Sequence, residues 1–248
     1  MLMKLYKKSE ILFAVIWIIA YCLLFSAGDS LSSLLGVEKS VTLAVGLGLS
    51  ALLLLFLKKN RLLKAYGLCL PKASPYSMLY YIPVLLMLST NLWYGVTVNY
   101  KPLELVLYIL SMLCVGLLEE LIFRGLLFNA MRKNSLKAAV IVSSVTFGIG
   151  HVINLVNGSG AELLPNLLQV LYATTAGFMF VMIYYRSKSL LICIGAHGLF
   201  NALSAFANEK AATTELRIVF CLLLAAITGG YGAFLALSLK KGKNKDAV

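Results

Sequence analysis

The chain has 248 residues, 60% of them hydrophobic and 13% charged, with a formal net charge of +12 and a mean hydropathy of +0.89. Soluble domains carry about 25% charged residues and about 45–50% apolar ones, so the composition excludes a soluble globular domain and describes a polytopic membrane protein. The basic residues sit between apolar runs, which makes the excess charge a matter of membrane topology and not the footprint of a nucleic-acid partner.

A spanning helix takes about 20 apolar residues, so the chain holds roughly eight spans in a single integral membrane domain, 1–248, surrounded by lipid bilayer. In chain order the apolar runs cover 10–28, 40–57, 77–94, 103–128, 136–153, 163–185, 189–206 and 216–239. The first has the basic start and the Ser26-Ala27-Gly28 end of a signal peptide, but its apolar stretch exceeds the usual ~7–15 residues and it reads as a retained anchor. The third contains Pro83, tolerable where neighbouring helices satisfy the freed carbonyl. No internal repeat supports an inverted-repeat transporter.

The connecting charges alternate. Counting Arg124 with them, eighteen of 22 basic residues fall on one face: those before span one, between spans two and three, after span four, between spans six and seven, and at the C-terminus. Only Lys39, Lys101, Lys210 and Arg217 fall on the other. The positive-inside rule then puts both termini in the cytoplasm. The five cysteines (Cys22, Cys69, Cys114, Cys193 and Cys221) show no metal-like spacing and read as small core residues.

Span four ends in Glu119-Glu120-Leu-Ile-Phe-Arg124. An ionisable residue inside a bilayer costs at least ~2.5–3.5 kcal/mol and signals function by default. Glu120 and Arg124 are spaced i,i+4 and can pair, which suits a supporting ion pair. An α-helix turns Glu119 about 100° away from Glu120, leaving it without that partner and suited to act as a general base. The only histidines, His151 and His197, also lie in apolar runs. Phe147 precedes His151 by four residues and Asn201 follows His197 by four, each pair on one helical face. Gly148 and Gly150 would let neighbouring helices approach closely. At about 1.5 Å per residue all four polar groups can meet at one depth.

A Glu–His pair beside a His–Asn pair fits peptide hydrolysis. The carboxylate and one histidine would deprotonate a water, and the other histidine and the amide would donate to the oxyanion. The competing chemistry is zinc held by Glu119, His151 and His197. Against it stand the lack of a His-Glu-x-x-His helix and the poor ligand character of Asn201.

The motifs Glu119-Glu120-x-x-x-Arg124, Phe147-x-x-x-His151 and His197-x-x-x-Asn201 resemble, in order, those of the CPBP intramembrane protease family, also called the CAAX prenyl protease 2 or Abi family. The resemblance covers roughly 110–205. It implies an all-helical eight-span fold with a catalytic cavity open to the cytoplasm. Glu119 and His151 would activate water, His197 and Asn201 would form the oxyanion site, and Glu120, Arg124 and Phe147 would support them. It further implies a glutamate protease without a catalytic metal or other cofactor, acting on a membrane-associated peptide or protein, in a bacterial cell membrane. Two other functions stay open: a non-catalytic bacteriocin-immunity or scaffold protein of the same fold, and a proton-coupled transporter using Glu119 and the histidines as a relay.

Overall fold

Long runs of Leu, Ile, Val and Ala must satisfy their backbone groups internally in lipid, which leaves helices as the solution for single segments. The computed structural model describes residues 2–157 and 161–245, with side chains as far as Ser238. The side chains of Lys240, Lys241, Lys243 and Lys245, counted in the charge asymmetry, lie outside the described residues, as do Met1, 158–160 and 246–248.

After a short N-terminal helix, Leu2–Lys8, the bundle consists of α1 (Glu10–Leu34), α2 (Ser40–Lys59), α3 (Tyr81–Ser89), α4 (Pro102–Glu119), α5 (Leu136–Gly150), α6 (Leu163–Ser187), α7 (Leu191–Leu203) and α8 (Thr214–Lys245). Ser9 and Ser135 cap α1 and α5 by accepting the amides of Leu12 and Ala138. Among the described residues there is no strand, only an isolated bridge between Val96 and Ala207. The all-α membrane bundle expected from composition is what forms.

Each apolar run becomes helical, but six are long enough to cross a membrane by length and composition, while Tyr81–Leu92 and Leu191–Phe206 are shorter. The third run departs most from expectation. Leu79 takes a left-handed conformation (φ 52°) and separates the turn Pro75–Met78 from α3. Pro83 therefore falls in the first turn of α3, where its missing amide has no helical acceptor to lose.

Contacts sort the loops onto two faces. On one, the Lys72 amide donates to Ser187, the Leu190 amide to Gly67, and Lys133 lies 2.5 Å from Glu10. On the other, the amides of Thr97 and Asn99 donate to Phe206 and Ala205, and Lys39 pairs with Asp29 at 2.7 Å. This partition coincides with the alternation of basic charge.

Two close approaches set the helix spacing around the centre. A Cβ at Gly116 of α4 would stand 2.5 Å from the amide nitrogen of Gly198 in α7. A Cβ at Gly148 of α5 would overlap Thr174 of α6. Gly150, expected to serve the same purpose, has no neighbour within 4 Å of a Cβ and borders a cavity instead. On α1 an inward ladder of Phe13, Trp17, Tyr21 and Phe25, at four-residue steps, is buried against the bundle.

Candidate active site

The first polar group comes from a helix that changes form. α4 continues from Glu120 to Phe128 as a π-helix, every residue of it buried, before Asn129–Met131 returns to α geometry. Such i→i+5 segments cluster at functional sites. Sequence reading took this stretch as regular α-helix; the π form leaves no period in an apolar run that would betray it.

Arg124 is fully buried. Its Nη1 stands 3.1 Å from Glu120 Oε1, and its guanidinium lies 4.1 Å from the Phe147 ring centroid. The expected Glu120–Arg124 pair therefore forms, with Phe147 as its aromatic cover. Glu120 Oε1 also lies 2.9 Å from His197 Nδ1. A carboxylate oxygen accepts, so Nδ1 carries the proton and His197 is oriented by Glu120. The Gly116–Gly198 crossing is what brings His197 to this position, beside both glutamates.

Glu119 differs from expectation. It is not left without partners: the Tyr21 hydroxyl donates to its Oε1 at 2.7 Å, and His197 Nε2 stands 3.4 Å from its Oε2. His197 thus bridges the two carboxylates, and its nearest polar partners are glutamates and not Asn201. Tyr21 was missed in the sequence; its signal was the one hydroxyl in the aromatic ladder of α1.

His151 closes α5, where the helix tightens into a 3-10 turn. Its Nδ1 lies 3.0 Å from the Phe147 carbonyl. A carbonyl only accepts, so this contact places a proton on Nδ1. Asn166 of α6, a buried amide that sequence reasoning also passed over, donates to the His151 carbonyl at 2.8 Å. Phe147 is the common neighbour, with its ring centroid 5.3 Å from that of His151 and 5.5 Å from that of His197.

Glu119, Phe147, His151 and Asn201 all border one cavity of about 400 Å³. Behind it, His151, His197 and Asn201 meet at a chamber of about 40 Å³, room for a water or a carbonyl oxygen. All seven residues singled out from sequence are therefore brought together. Glu119 and His151 face the same cavity but share no direct hydrogen bond. Among the described residues no three His, Cys, Asp or Glu side chains group as a metal site.

The rim of the larger cavity includes Asp29, Lys39 and Glu209, which belong to the loops poor in basic residues.

Fold and site define a multi-pass integral membrane protein with a buried Glu–His–Arg cluster opening onto a polar cavity. Residues 101–203, which contain every residue of that cluster except Tyr21, match the family model described as "Type II CAAX prenyl endopeptidase Rce1-like", and so bear out the CPBP resemblance read from the three motifs. The chain is also 34% identical over 94 residues to a protein of Bacillus subtilis (strain 168) named "Putative membrane peptidase YdiL". That match covers 38% of the chain and 33% of the relative, so the chain matches about a third of that protein's length. No solved structure matches the chain.

Proposed function

We propose that the protein is an intramembrane endopeptidase that hydrolyses a peptide bond of a membrane-associated peptide or protein, with water activated by side chains and no metal required. The observation that carries this is that the Glu119 carboxylate and the His151 ring border one cavity, with His151 Nδ1 on the Phe147 carbonyl; in the neutral ring Nε2 then keeps a lone pair. Both groups accept hydrogen bonds, so together they can hold a water by its two hydrogens and turn its oxygen toward a carbonyl carbon. Glu119 takes the proton as the new C–O bond forms. The oxyanion is met by the Asn201 amide and by His197 Nε2–H. For Nε2 to donate, His197 carries protons on both nitrogens, and with Glu119, Glu120 and Arg124 the cluster is then neutral overall. Collapse of the tetrahedral intermediate breaks the C–N bond, and the proton held by Glu119 passes to the departing amine.

The same reading places eight segments across a bacterial membrane with both termini in the cytoplasm, supported by the charge alternation and by the bacterial relative. The test uses Glu119→Ala, His151→Ala and His197→Ala in cells and in purified, well-folded protein. Loss of cleavage in all three is the expected result. Intact biological function in all three would leave a scaffold or immunity role, and proton or solute flux abolished by Glu119→Gln would identify a transporter. Cleavage is expected to survive chelators; loss that zinc restores would contradict the metal-free mechanism.

A further inference from the structure

We propose that the catalytic cavity opens to the non-cytoplasmic face of the membrane, and that the substrate is an extended peptide segment presented from that side. The identity of the segment as a substrate rests on the hydrolase reading above; the direction of opening does not.

Three observations carry the direction. The cavity wall runs along α4 from Tyr108 inward to Glu119, a descent of about 16 Å at about 1.5 Å per residue. Its outer end meets Asp29 and Lys39 at the α1–α2 turn and Glu209 before α8. A second cavity of about 370 Å³ shares the wall residues Asn91, Gln169, Tyr172, Phe200 and Glu209 and includes Tyr94 and Arg217. It lies on the same face, beside the first.

Toward the other face the described residues pack the site off. Between the site and the basic loops lie Leu121, Ile122, Phe128 and Leu190, all fully or almost fully buried. Two cavities on that side border Leu2, Lys59 and Asn60, or Lys8, Lys133 and Asn134. Neither touches a residue of the site.

Charge then fixes which side of the membrane is which. The packed face carries Lys58, Lys59, Arg61, Lys64, Arg132 and Lys133, and a cluster of this kind marks the cytoplasmic leaflet. The open face carries four basic residues in all. The funnel's lining is polar: Asn91 donates to the Phe200 carbonyl and Asn154 to Gln169, and Asn201 borders the cavity beside them, which suits a peptide backbone because an amide both donates and accepts. At about 3.3 Å per extended residue, a 16 Å funnel spans roughly five residues.

Impermeant, charged maleimide applied to intact cells tests the direction, with sites read individually by mass spectrometry so that the native cysteines can stay. Ser26→Cys and Glu209→Cys at the open face are expected to label in intact cells, and Asn134→Cys on the packed face only after permeabilisation. The reverse pattern would overturn the proposal. Glu119→Gln protein carrying the same reporters should label identically, so loss of catalysis and reversal of orientation are read separately. For the substrate, fragments that disappear in Glu119→Gln cells should map to segments outside the cytoplasm; fragments confined to cytoplasmic segments would refute it.

Discussion

On the proposed mechanism Tyr21 and Glu120 position Glu119 and His197, and their substitutions separate positioning from chemistry. Tyr21→Phe removes only the hydroxyl that donates to Glu119 Oε1. Hydrogen bonds to charged groups contribute about 1.5–3 kcal/mol, so a roughly 10- to 100-fold loss of kcat/KM is expected with the amount of folded protein unchanged. Glu120 and Arg124 have no solvent exposure. Removing one partner of a buried pair costs about 3–5 kcal/mol, so Arg124→Leu should lower Tm and yield before it changes kcat. The double change Glu120→Leu with Arg124→Met should recover thermal stability but not cleavage, because His197 Nδ1 has then lost its acceptor. Recovery of both would show that Glu120 has no part in orienting His197. At this scale the sequence was highly legible. Charged and amide side chains in apolar runs are costly enough that Glu119, Glu120, Arg124, His151, His197 and Asn201 stand out without any structure. Tyr21 does not, because a tyrosine among aromatic core residues carries no such penalty.

The helices position these groups through two features of opposite legibility. Close crossings depend on small residues, and Gly148 is visible as such within its run. Gly116 and Gly198 belong to different helices, and their contact at 2.5 Å from a built Cβ emerges only once α4 and α7 are packed. Gly116→Val should push that crossing apart, at a cost of about 1–3 kcal/mol, and displace His197 from both glutamates. The expected readout is a lowered Tm with cleavage reduced well beyond the stability loss. Gly150→Ala, with open space at its Cβ, should leave Tm unchanged, and equal effects of the two on Tm would contradict the packing argument. The π-helical stretch Glu120–Phe128 and the shortened α3 were not legible. Hydropathy reports that a segment is apolar, but Leu79 alone breaks one such segment and nothing in Leu121-Ile122-Phe123 reports a widened turn.

For the whole molecule, alternation of charge and alternation of loop contacts agree, and together they sort the loops into a face rich in basic residues and one poor in them. That agreement is physical: basic side chains resist translocation, so the loops that hold them end up together on one side. The cavity, by contrast, arises from how α1, α4, α5, α6 and α7 diverge toward the other side, a tertiary property with no counterpart in any single segment. On the proposed reading, its location lets a carboxylate deep in the apolar bundle meet water and a peptide from one side. The central claim is that Glu119 activates the water that cuts the peptide. It is tested most directly by quantitative peptidomics of membranes and medium from cells expressing wild-type protein or Glu119→Gln at equal levels. The expected result is a set of cleavage products present with the wild type and lost with Glu119→Gln; products persisting at wild-type levels in the variant would contradict the claim.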